Sequence, residues 1–76
     1  MKQVLEVIIK NLVDNKDAVS INEIENEKGV TFQVKVDNSD IGKIIGKQGK
    51  TAKAIRTLMK AAGAKYKKRL SVEILD

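Results

Sequence analysis

The sequence predicts an α+β domain in which a three-stranded sheet carries three helices on one face, in the order αββααβ. Apolar residues recur at helical spacing from Val4 to Val13 and again from Ala52 to Tyr66. Apolar and polar residues alternate from Val30 to Val36 and from Leu70 to Ile74. Three glycines, Gly42, Gly46 and Gly49, interrupt what would otherwise be continuous helix, where each costs about 1 kcal/mol relative to alanine. The 76 residues are read as one domain, 1–76. A domain this small buries only about 60% of its unfolded surface, so self-association or a partner would help it.

The elements follow in order. Val4, Leu5, Ile8, Ile9, Leu12 and Val13 line one side of a helix from Lys2 to about Asp14. In "VSINEI" Val19 and Ile21 alternate with polar residues and Ile24 falls out of step, which predicts a strand with a bulge. "ENEKG" turns the chain, with Gly29 free to take positive φ. Val30, Phe32, Val34 and Val36 form the clearest strand and complete a hairpin with one buried face. "DNSD" supplies oxygens that can cap a short helix starting near Ser39 or Asp40 and ending at Gly46. From Lys50 to about Lys65 a second helix gathers Ala52, Ile55, Leu58, Met59, Ala62 and Tyr66 on one side, with Lys53, Arg56 and Lys60 on the other. Leu70, Val72 and Ile74 make the last strand.

Composition removes several chemistries. Without cysteine or histidine there are no disulfides, no thiolate or imidazole catalysis and almost no route to a zinc site. The basic half holds two carboxylates, both near its end, so no acid/base pair is in view and neither an enzyme nor a cofactor is expected. "GKT" at Gly49 to Thr51 ends like a nucleotide-binding P-loop, but Ile44 stands where that motif needs glycine. No apolar run approaches a membrane span. The N-terminal stretch carries Glu6, Lys10 and Asp14 where a signal peptide needs an unbroken apolar centre, so a cytoplasmic protein is expected.

The net charge of +5 is unevenly placed: five lysines against eight acids through Asp40, net −3, then ten Lys or Arg against two acids, net +8. Such asymmetry fits a polyanionic partner, nucleic acid before membrane, or a merely solvated face. The glycines fall in the positive half. "GKQG" joins two helices, so Gly46 can leave one and Gly49 enter the next with no Cβ in the way. The first amides of the second helix lack partners and its dipole favours negative charge, so a phosphate can sit there beside Lys47 and Lys50. By themselves two glycines three apart need only turn the chain. Beside Ile41, Ile44 and Ile45 and a helix with a basic side, they offer an apolar wall next to a phosphate clamp.

"IIGKQGKTAKAI", Ile44 to Ile55, resembles the signature of the K-homology (KH) domain family, an apolar pair followed by G-x-x-G and a helix. The order αββααβ is similar to the bacterial, type II arrangement of that fold, and the resemblance spans the chain. It implies a single KH module that grips single-stranded RNA, with Gly46 and Gly49 as the backbone clamp and Lys47 and Gln48 projecting toward phosphate or solvent. Lys50 and Lys53 would extend the positive edge. Ile41, Ile44 and Ile45 would divide between groove and core, with Ile45 a candidate contact, and Lys43 would be a peripheral phosphate contact or a solvated lysine. Ala52 stands where many KH domains carry a larger aliphatic residue. Only Phe32 and Tyr66 are aromatic, both on apolar faces where core is expected, so binding should rely on clamp and charge and be salt-sensitive.

The alternative is an interaction subunit, a homodimer or the partner of a second KH protein, with RNA secondary. Ala61, Ala62, Gly63 and Ala64 permit close helix approach, although Gly63 equally suits a fraying helix end or packing on the sheet. The family resemblance also implies bacterial proteins that form such pairs and affect cell elongation and division. No membrane or small-molecule partner is expected.

Overall fold

A computed structural model describes residues 2–75. Helix α1 (Lys2–Leu12) leads into strands β1 (Ser20–Asn26) and β2 (Gly29–Lys35), short helix α2 (Ile41–Ile45), long helix α3 (Lys50–Lys65) and strand β3 (Leu70–Ile74). The sheet runs β1-β2-β3, with β1 antiparallel and β3 parallel to the central β2. A parallel pair needs a long crossover, and residues 36–69 supply it. Both α2 and α3 lie within it.

Alternation along the strands decides which face is covered. Val30, Phe32 and Val34 on β2, Ile21 on β1 and Leu70 and Val72 on β3 are buried together with Leu5, Ile9, Val13, Ile44, Ile55 and Met59 from the helical side. The other face presents Asn22, Thr31, Gln33, Lys35, Ser71 and Glu73. Fully burying Phe32, Leu5, Ile9 and Ile44 contributes about 1.5–3 kcal/mol each.

Helix α1 buries a narrower stripe than its spacing predicts: Leu5, Ile9 and Val13 are inside, Ile8 and Leu12 half-buried, and Val4 is exposed. Strand β1 pairs without interruption from Ser20 opposite Lys35 to Asn26 opposite Gly29, so the expected bulge is absent. Ile24 simply points to the uncovered face, where it is partly exposed. At the hairpin, Asn26 Oδ1 accepts from the backbone N–H groups of Lys28 (2.8 Å) and Gly29 (3.1 Å). Gly29 has φ +149, and a Cβ there would lie 2.1 Å from the Arg69 carbonyl oxygen. Its glycine is required by the approach of a distant segment as well as by the turn.

The buried seam of α3 is Ala52, Ile55, Met59 and Gly63. Leu58 and Tyr66, both expected in the core, are instead 58% and 62% exposed, whereas Phe32 is fully buried as expected. One residue rotates a helix by about 100°, which carries Leu58 off the seam set by Met59. Tyr66 is the C-cap, at φ −100 and ψ 11, and has left the helical wheel. Gly63 packs inward: a Cβ would lie 2.5 Å from the Lys68 carbonyl oxygen and 2.7 Å from Leu70 Cγ. The helix closes as a Schellman motif, with Lys68 N donating to Gly63 O (2.8 Å), Lys67 N to Ala64 O (3.1 Å) and Lys67 at φ +57. Lysine in this left-handed position costs about 1 kcal/mol relative to glycine.

Candidate nucleic-acid interface

The loop between α2 and α3 is built by three departures from right-handed backbone within four residues. Gly46 ends α2 at φ +75, ψ 177, its N–H still bonded to Gly42 O (2.9 Å). Gln48 lies at φ +56, ψ 27 and Gly49 at φ +75, ψ 11, after which Lys50 enters α3 at φ −64, ψ −39. The two glycines differ in what surrounds them. A Cβ on Gly46 would lie 2.2 Å from Thr51 Oγ1, so the first turn of α3 packs against it; a Cβ on Gly49 would meet nothing within 4 Å. Gly49 therefore offers bare backbone to the outside. Behind it α3 starts with no side-chain cap, leaving the positive end of a 16-residue helix facing the loop.

The expected site residues fall into three groups. Lys47, Gln48, Lys50 and Lys53 are exposed around the loop and the start of α3, and Gly46 and Gly49 are half-buried beneath them. Among the described residues, none of Lys47, Lys50 and Lys53 has an acidic partner within 4.0 Å. The isoleucine pair divides: Ile44 is wholly in the core, while Ile45 is 37% exposed beside the loop. Lys43 stands apart, because its ammonium is paired with Asp14 and, at 3.2 Å, with Asp40. Hydrogen bonds to Asp14 and then Asp40 hold its pKa above the ordinary value of 10.5. Its charge faces α1's end rather than the loop.

Asp40 is the structural residue beside the site that local patterning missed. Expected to cap α2, it makes no such bond. Its carboxylate is 1% exposed and accepts from the backbone N–H groups of Asn15 (3.0 Å) and Asp14 (3.3 Å), tying the end of α1 to the start of α2. The bond from Asn15 is the main reason its pKa lies below the ordinary 3.8, against the opposing effect of burial. Asp37 instead caps the single 3-10 turn Asn38–Asp40 ahead of α2, accepting from Ser39 N (3.0 Å) and Ser39 Oγ (2.9 Å), and these bonds lower its pKa. Gly42, the third of the helix-interrupting glycines, is exposed with nothing within 4 Å of a Cβ, and nothing in the structure requires glycine there.

Along α3 the basic side leans toward the sheet edge, where Arg56 Nε donates to the Val72 carbonyl of β3 (3.3 Å). Farther round, Lys50, Lys53, Ala54, Thr57 and Leu58 line a shallow, mainly apolar hollow. Of the readings given for Gly63, packing on the sheet is the one the structure bears out, since a Cβ there would run into Leu70 of β3. The groups of Asp and Glu among the described residues offer no cluster suited to a metal ion, and no described helix is long and apolar enough to cross a membrane.

An αββααβ domain with a G-x-x-G loop between its second and third helices has the K-homology architecture. The chain belongs to the KhpA/KhpB KH-domain family, whose model matches residues 2–74. It is 52% identical over 75 residues to the RNA-binding protein KhpA of Clostridium acetobutylicum, covering 99% of this chain and 100% of the relative. It is 49% identical over 76 residues to the protein of that name in Aquifex aeolicus, covering 100% and 96%. The corresponding Borreliella burgdorferi protein is 49% identical over 74 residues, covering 97% and 90%. No solved structure gives a significant match.

Proposed function

We propose that this protein is a non-catalytic RNA-binding module that grips a single strand through Gly46, Lys47, Gln48 and Gly49, with Lys50 and Lys53 continuing the contact along α3. The observation that carries the reading is the open side of Gly49, where bare backbone meets an uncapped helix N-terminus among lysines without acidic partners. Relatives named RNA-binding protein KhpA support the ligand class. Ile45 supplies apolar surface beside the loop, and Lys43 plays at most an outer part because Asp14 and Asp40 hold it. Few phosphates are neutralised, so affinity is modest and falls with salt.

In this reading the protein works in the cytoplasm, and its exposed Leu58 leaves room for a second protein on α3, a copy of itself or a KH partner of the KhpB kind. A part in cell elongation and division follows from family alone. The test is short single-stranded RNA with wild type and the Lys47→Asp, Gln48→Asp double variant. Binding is expected to fall at least tenfold with fold and oligomeric state unchanged, since two phosphate-facing positions gain negative charge. Equal binding by both proteins at moderate salt removes the clamp. Light scattering addresses the partner: a strict monomer that gains no mass with KH proteins removes that part.

A further inference from the structure

We propose that the opposite end of α3 is a second contact for the same RNA strand, in which Tyr66 stacks a base and Lys28, Lys67 and Arg69 take phosphates. The proposal rests on the RNA-binding reading above. Two turns meet there, the β1–β2 hairpin and residues 66–69, and they are locked together. Val30 N donates to Arg69 O (2.9 Å) and the Arg69 carbonyl occupies the space a Cβ on Gly29 would need, while the bond from Lys68 N to Gly63 O (2.8 Å) anchors the second turn on α3. Side chains leaving these turns therefore start from fixed backbone.

Two adjoining hollows, of about 120 and 220 Å³, share Lys28, Gly29 and Arg69 in their walls. The smaller opens on the uncovered sheet face beside the hydroxyl-bearing Thr31 and Ser71. The larger adds Lys67 and Lys68, opposed by Glu25 and Glu27. Four cations against two carboxylates leave a net charge of +2. Lys68 lies 3.9 Å from Glu25, while among the described residues Lys28, Lys67 and Arg69 have no acid within 4.0 Å. Lys67 occupies a left-handed position that glycine fits with less strain, so a charge is held where folding alone favours no side chain. Beside it Tyr66 is 62% exposed, the one aromatic ring the core does not take. An exposed ring next in the chain to an unpaired cation, at the edge of a basic hollow whose walls include that cation, is the pairing a single strand needs, since every base has a face to stack and every linkage a charge.

Sixteen residues of α3 separate this end from the clamp by about 24 Å. A strand held at the G-x-x-G loop, which grips about four nucleotides, must run on past the helix to reach it. The second site therefore acts on RNA length. Fluorescence anisotropy is measured with a four-nucleotide and an approximately twelve-nucleotide single-stranded RNA, for wild type, Tyr66→Ala, and the triple variant Lys28→Gln, Lys67→Gly, Arg69→Gln. Binding of the longer RNA is expected to weaken roughly tenfold in the triple variant, with the slope of log K against log salt shallower by about 0.7 for each phosphate no longer neutralised. Tyr66→Ala is expected to weaken the longer RNA severalfold with no change in slope, and neither variant alters the four-nucleotide RNA. Because Lys67→Gly relieves backbone strain, the triple variant is expected to melt no lower than wild type, which distinguishes weakened binding from a damaged fold. Unchanged binding of the longer RNA, or equal weakening of both lengths, overturns the second site while leaving the clamp standing. Failure of wild type to bind either RNA overturns both.

Discussion

At the start of α3 the glycine backbone is left open, whereas near its far end it is filled. A Cβ on Gly49 would meet nothing within 4 Å, but one on Gly29 would lie 2.1 Å from the Arg69 carbonyl oxygen and one on Gly63 2.5 Å from that of Lys68. The same residue type thus meets two needs. At Gly29 the missing side chain lets two turns pack against each other, and at Gly63 it lets α3 close against its own following turn and Leu70, both internal requirements. Around Gly49 it serves only the backbone angle and whatever approaches from outside. A substitution at the filled end should therefore act on stability, and one at the open end on binding.

The largest expected effect tests the filled end. Gly29→Ala must displace the Arg69 carbonyl at an already unfavourable φ and is expected to destabilise by about 3 kcal/mol or more, read as a lowered urea midpoint. A midpoint within error of wild type would mean the turns are not locked as described. Gly49→Ala meets no neighbour and bears only left-handed strain, roughly 1–2 kcal/mol, so the protein stays folded while RNA affinity falls. Retained affinity there would erase the contrast between the two ends. Gly42→Ala is the control, an open helical position with no unusual angle, expected to gain up to about 1 kcal/mol with RNA binding kept.

The smallest effect at neutral pH is electrostatic. Asp37 and Asp40 have folded pKa values below their ordinary 3.8, so their contribution is complete above that pH and is lost as the pH falls through the lowered values. Lys43, raised above 10.5, contributes fully below that pH and loses its contribution as the pH rises past it. Urea midpoints should decline below about pH 4 and again in strong alkali. Asp40→Asn should flatten the acid limb, and an unchanged acid limb in that variant would assign the decline to other carboxylates.

How legible the molecule was in the sequence depended on range. Strands β2 and β3 and helices α1 and α3 followed from periodicity because each buries a face set by its own spacing. The loop was legible because two glycines three apart must do something to a helix. Asp40 was not, since its partners at Asp14 and Asn15 are distant in sequence and nothing local separates a buried carboxylate from a cap. Leu58 was misplaced because a wheel counts apolar side chains and so drew it inward; Gly63, for which packing on the sheet was one of the readings, packs tightly by having no side chain to count. Ile24 invited a bulge only because a lone apolar residue on a polar face looked like a fault in register.

The parallel pairing of β2 with β3 also governs when the clamp comes into being. Val30 lies opposite Leu70, 40 positions later, and α2, the loop and α3 all sit inside the chain segment that this pairing closes. A pairing of that sequence separation is slow to form and carries the entropic cost of the whole segment. Until it forms, Gly29 lacks the Arg69 carbonyl that fills the space beside it, and α3 has no sheet edge to pack on. Folding to completion and competence to grip a ligand are therefore expected to arrive together, in the last kinetic step.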